Sequence, residues 1–168
     1  MTGTRANQKN ILADYAEGPI LLEEALHGLS VADLDQSPPD DGWTIRQIVH
    51  HLSDGDDIWK SFIKQAVGNP GGEFILEWYW RIPQVEWAAR WNYGSRSIDT
   101  SLAVIRSNRN QTVQLLEHYP QVLENYLVIR WPRGEKQNVS VKWVLEMQIQ
   151  HVKEHVNDIR GIRDFHDI

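Results

Sequence analysis

A chain of 168 residues is sized for a single domain, here 1–168, and is long enough to bury its own core. A net charge of −6 with no cluster of lysine or arginine argues against nucleic acid as a partner. The absence of cysteine excludes a disulfide framework and a cysteine nucleophile, and leaves only nitrogen and oxygen donors for any metal.

In chain order, apolar spacing predicts a first helix from about Gln8 or Asn10 to Leu29, with Ile11, Tyr15, Leu22, Ala25, Leu26 and Leu29 on its inner face. Gly18-Pro19 falls inside it and predicts a kink or a break. The stretch Ser37-Pro38-Pro39-Asp40-Asp41-Gly42 is a loop. A second helix is expected from Trp43 or Thr44 to about Val67, closed by Gly68-Asn69-Pro70-Gly71-Gly72. The tryptophan-rich stretch from Glu73 to Ser95 is broken by Pro83 and Gly94 and reads as short helices lying over the rest. A third helix runs from about Ser97 to His118, with Ile98, Leu102, Ile105, Val113 and Leu116 as its apolar positions. Tyr126 to Arg130 reads as a short extended piece. A fourth helix starts after Ser140, a suitable N-cap, and runs to about Arg163. Four helices without a convincing set of strands predict an all-α, antiparallel four-helix bundle, with long connections between the second and third helices and between the third and fourth. Met1 to Asn10 is polar and lacks the apolar stretch of a signal peptide. No segment approaches the roughly 20 apolar residues of a membrane span. The expected setting is therefore the cytoplasm, with no membrane partner.

The chemistry concentrates in the histidines. His151 and His155 are four apart and share one face of the fourth helix. At about 100° per residue, Val141, Val144, Leu145, Val152, Ile159 and Ile162 form an apolar arc that includes His155 and has His151 at its edge. On the second helix His51 falls within the arc of Ile48, Leu52, Ile58, Trp59 and Phe62, whereas His50 points away and is expected in solvent. Buried imidazoles need partners for their ring nitrogens. Two arrangements supply them: a metal ion shared by His51, His151 and His155, or a polar core network of backbone carbonyls and water. His27, His118 and His166 read as surface or helix-end residues. Three histidines would leave an open coordination position, which a catalytic site requires.

The segment Gly42-Trp43-Thr44-Ile45-Arg46-Gln47-Ile48-Val49-His50-His51-Leu52-Ser53-Asp54 resembles the tryptophan-to-His-Leu segment of the DinB-like superfamily, which includes the YfiT-type metal-dependent hydrolases. The lead-in Ala25-Leu26-His27-Gly28-Leu29-Ser30 is similar too, as is the closing His151-x-x-x-His155. Asp158 stands where the family often has Gln or His. The resemblance runs through the first, second and fourth helices, while residues 68–97 match nothing. It implies a four-helix bundle holding a divalent ion, zinc or nickel, on His51, His151 and His155. It further implies a hydrolase or a thiol-dependent S-transferase or isomerase using a low-molecular-weight thiol such as bacillithiol or mycothiol, and a homodimer. The partner on this reading is a small-molecule substrate.

Gln148, one turn before His151, is the expected neighbour of the open position, and Trp43, Trp59 and the tryptophans of the second connection are expected to form an apolar wall. No general base stands out, and Glu73, Glu77 and Glu86 cannot be placed from sequence. The alternative to an enzyme is a non-catalytic bundle with a structural metal or a ligand-binding role.

Overall fold

The computed structural model describes residues 2–168. Its helices are α1 (Thr2–Leu26), α2 (Ile45–Gly68), the short α3 (Glu77–Trp80) and α4 (Gln84–Arg90), α5 (Asp99–His118) and α6 (Val141–His166). The four long ones form a bundle in which α1 packs on α5 and α6, and α2 packs on the same two helices. The expected bundle is therefore present, and α3 and α4 are the short helices expected in the tryptophan-rich connection. Three strands, β1 (Glu73–Phe74), β2 (Tyr126–Arg130) and β3 (Lys136–Ser140), form a sheet that the sequence reading did not include. β1 pairs parallel to β2, with Glu73 opposite Val128, and β3 pairs antiparallel to β2, with Leu127 opposite Val139. Only the extended piece at Tyr126 to Arg130 was expected. Among the described residues no helix is long and apolar enough to cross a membrane.

Local chemistry sets the start of α2. The Thr44 hydroxyl accepts from the Gln47 N–H at 3.2 Å, and the Gln47 side chain accepts from the Thr44 N–H at 2.9 Å. This capping box satisfies two of the backbone donors that a helix start leaves without partners. It fixes the register that places His50 and His51 in the second turn. The first half of α2 is enclosed on nearly every side: Ile45, Arg46, Ile48, Val49, His50, His51, Leu52 and Ser53 are all buried. Arg46 binds the Asp35 carboxylate and the carbonyls of Val31 and Arg96, pulling the preceding loop and the start of the α5 segment onto the helix. Ser140 caps α6 as expected, accepting from the Trp143 N–H at 3.1 Å.

The helix α1 starts earlier than expected, at Thr2, and ends at Leu26 rather than Leu29. It runs through Gly18-Pro19 without a break, and the reason lies in α5. Proline has no N–H, so the carbonyl four residues earlier loses its helical donor. That carbonyl belongs to Tyr15, and the Arg109 guanidinium supplies the missing bond through Nη1 at 3.0 Å. Gly18 makes the approach feasible: a Cβ there would stand 2.1 Å from Arg109 Nη1.

Arg109 and Asp56 are both fully buried and form a two-pronged ion pair, with Nε to Oδ2 and Nη2 to Oδ1 each at 3.0 Å. The guanidinium also donates to the Gln148 carbonyl at 3.2 Å and lies 4.5 Å from the centre of the Tyr15 ring. Burial pushes the Asp56 carboxyl upward, and the guanidinium beside it opposes that shift. This polar layer divides the interior in two. One apolar cluster, containing Leu22, Ile48, Leu52, Ile105, Val152 and Ile159, lies on one side. The other, containing Leu12, Phe62, Ile63, Leu116, Leu127 and Val144, joins the bundle to the sheet. The buried face of α5 is accordingly polar, carrying Ser101 before Ile105 and Asn108, Arg109 and Thr112 between Ile105 and Leu116, whereas the expected Leu102 and Val113 are only partly buried.

Candidate metal centre

The three imidazoles expected to converge do so, where α2 meets α6 at the level of the polar layer. One ring nitrogen each from His51, His151 and His155 lies within 4.8 Å of the other two. His51 Nε2 and His151 Nε2 are 3.0 Å apart. Two imidazole nitrogens on one tetrahedral ion at about 2.0–2.1 Å stand roughly 3.3 Å from each other. The observed spacing is thus a few tenths of an ångström short of a ligand pair. It is also a hydrogen-bond distance, so one ring donates to the other when no ion is held. The ring planes are steeply inclined, 89° between His51 and His151 and 85° between His51 and His155, as rings directed at one point from two helices must be.

Burial sets the charge state. Desolvation, followed by the neighbouring histidines, pushes His51 down to about 2, and desolvation and His155 push His151 down to about 4. Both rings are neutral at pH 7, the form that offers a lone pair to a metal. His51 is buried, whereas His155, expected inside the apolar arc, is like His151 only partly buried, its side chain 19% exposed.

Two further contacts orient the set. His155 Nδ1 lies 2.9 Å from Asp158 Oδ2. A carboxylate at Nδ1 accepts the hydrogen bond of an Nδ1–H and so favours the tautomer with Nε2 as the lone-pair nitrogen, the usual arrangement around a metal-binding histidine. The residue that departs from the family pattern is thus the one holding His155 in place. Replacing Asp158 with asparagine should weaken zinc binding by roughly 10-fold or more with the fold intact, which isothermal titration beside a thermal melt would check. Trp43 closes the other side. Its ring meets His51 edge-on at 4.5 Å and lies parallel to His155 at 6.4 Å.

The rest of the expected wall is elsewhere. Trp59 packs on Phe62, Phe74 and Trp143, and Trp80 and Trp131 pack on each other beside the sheet. Gln148 is buried, but its amide nitrogen is 3.5 Å from the Gly55 carbonyl and its amide oxygen is 3.5 Å from Arg109. It braces α6 against α2 beneath the histidines. Glu73, Glu77 and Glu86 are paired at the surface with Lys136, Arg130 and Arg90. His50 is not in solvent: it is fully buried, with Nδ1 at 2.8 Å from Ser101 Oγ and Nε2 at 3.3 Å from the Arg96 carbonyl. A helical wheel points His50 away from α6, but here α5 and its preceding loop cover that side too.

A family model of the DinB superfamily matches residues 15–159, a span that contains all three histidines. The chain belongs to the DinB superfamily. Among curated members it is 26% identical over 155 residues to a "Putative metal-dependent hydrolase" of Geobacillus thermodenitrificans, covering 92% of this chain and 83% of the relative. A protein of Oceanobacillus iheyensis with the same description is 25% identical over 145 residues, covering 86% and 78%. In three dimensions the fold matches that of YfiT from Bacillus subtilis, described as a probable metal-dependent hydrolase with an unusual four-helix bundle topology. The TM-score is 0.82 at 19% identity, over 95% of this chain and 87% of that one.

Two cavities open along α2. The larger, about 720 Å³, is bordered by Asp54, Asp57, Trp78 and Trp91 and touches none of the three histidines. A second, about 510 Å³, opens against Trp43 and His155.

Proposed function

We propose that this protein is a divalent-metal-dependent hydrolase of a small molecule, with His51, His151 and His155 holding a zinc or nickel ion. The observation that carries this is the three-imidazole cluster itself, with two of its rings kept neutral by burial. When bound, such an ion acts as a Lewis acid and makes hydroxide available near neutral pH. The chain's own residues contribute the rest. The Asp158 carboxylate holds the His155 ring by Nδ1 so that its Nε2 is the nitrogen left for the ion, and Trp43 shields the rings on one side. Gln148 and the Arg109–Asp56 pair fix α6 relative to α2, so that ring nitrogens from the two helices are held close together. Among the described residues the candidate protein ligands number three, which favours a reactive ion over a closed structural one.

The same ligand set would serve thiol transfer, so the test measures both reactions. Zinc- or nickel-loaded protein should cleave members of a panel of aryl esters and amides at least about tenfold faster than chelated protein. Turnover that survives complete metal removal would sink the proposal. Turnover that appears only when a low-molecular-weight thiol and an electrophile are supplied would replace hydrolase by thiol transferase.

A further inference from the structure

The cavity beside His155 lies between the proline loop, the start of α2 and the last turns of α6. The loop is closed by the Asp41 N–H on the Pro38 carbonyl at 3.2 Å, with Asp41 at φ 57°. Gly42 lets the loop fold onto itself, since a Cβ there would come within 2.8 Å of Pro38 Cγ. Trp43, Ile48 and Ile162 give the cavity an apolar wall, and the charged groups bordering it are carboxylates, Asp40 and Asp158. No lysine or arginine lines it. Among the described residues the Asp40 carboxylate has no hydrogen-bond or ion-pair partner, and Asp158 uses only Oδ2, on His155. A volume of about 510 Å³ is within the range of small-molecule sites.

We propose that this cavity binds a small molecule with an aromatic or apolar body and a protonated amine, the body against Trp43 and the amine between Asp40 and Asp158. This names the substrate class of the metal site and rests on that reading, because the cavity borders the metal set at His155. The charge pattern decides the sign. In the metal-free chain a carboxylate or phosphate in the same space would face two like charges with no lysine or arginine to offset them, whereas an ammonium gains two carboxylate acceptors.

The probes are benzylamine, benzyl alcohol and benzoate, which share a ring and differ in charge at pH 7. Each is titrated into the full chain, without metal and with zinc, following the Trp43 indole signal by two-dimensional NMR. In the metal-free protein benzylamine should bind most tightly and benzoate most weakly, and Asp40→Asn should weaken benzylamine about two- to fivefold while leaving benzyl alcohol unchanged. Benzoate binding as tightly as benzylamine, or no response of Trp43 to any probe, would overturn the proposal. The ranking on the unaltered chain keeps the test decisive should the variant fold poorly. Zinc stoichiometry, measured separately by calorimetry, tells the two readings apart. A protein that prefers the amine but takes up no zinc retains the binding site and loses the metal-dependent function.

Discussion

Replacing Arg109 with methionine should destabilise the protein by about 3–5 kcal/mol, because it leaves the Asp56 carboxylate, 1% exposed, buried without its counter-charge. For a chain of this length that is a fall in Tm of roughly 10–15 °C. The substitution also removes the donor on which the Tyr15 carbonyl depends in place of the absent Pro19 N–H. Changing both partners to apolar residues, Arg109→Met with Asp56→Leu, should recover most of the loss, since an apolar pair of similar volume is often as stable as the ion pair it replaces. Gly18→Ala supplies an independent check on the geometry. Its Cβ would collide with the guanidinium, so it should cost about 1–3 kcal/mol in the natural chain and clearly less beside methionine at 109. A single Arg109→Met variant that melts within about 1 kcal/mol of the natural chain would show that the ion pair does not hold the two halves of the core together.

This layer marks where sequence reasoning stopped short, although its signal was available. Arg109 lies four residues after Ile105 and seven before Leu116, on the stripe those two define, and Asp56 lies four after Leu52 and seven before Ile63. Two opposite charges on facing apolar stripes, one of them paired with a proline-interrupted helix, are the pattern of a buried pair. The apolar-only reading of α5 found the buried Ile105 and Leu116 but passed over the charge between them, and added Leu102 and Val113, which are only partly buried. His50 escaped for a different reason. A wheel assumes that a helix has one inner side, and the first half of α2 has none facing water. The sheet was hidden because β1 is two residues long and β3 is Lys-Gln-Asn-Val-Ser, too polar to show alternation. The histidine cluster was legible because both of its spacings are local to a helix. His151 and His155 share a face by their separation, and the Thr44 cap fixes the phase of His51. The Asp158 contact was equally local, three residues from His155, but a departure from a family pattern draws attention away from what the new side chain does.

Adding zinc to the metal-free protein should raise its stability by about 4 kcal/mol at a thousandfold excess over Kd, roughly 10 °C in Tm, and His51→Leu should abolish that gain while still melting cooperatively. The same two rings give the metal-free chain a characteristic acid response. His51 and His151 titrate at about 2 and about 4 in the folded chain, against an ordinary 6.5 that the unfolded chain retains. Below pH 6.5 the unfolded chain therefore binds more protons than the folded one. The contribution of these neutral rings is present in full above pH 6.5, erodes as the pH falls towards 4, and is lost further towards 2. His51→Leu should flatten the part of that slope belonging to residue 51, because leucine has no proton to take up. A network of histidines built only for packing would show the acid response but no zinc response, and His51→Leu would then lower stability to the same extent with or without the ion. Melts at pH 7.5 and pH 5, each with zinc and with chelator, separate the two. A metal site requires a zinc-dependent gain that is large in the natural chain and absent in the variant, whereas lower stability of the metal-free chain at pH 5 than at pH 7.5 is expected of either arrangement.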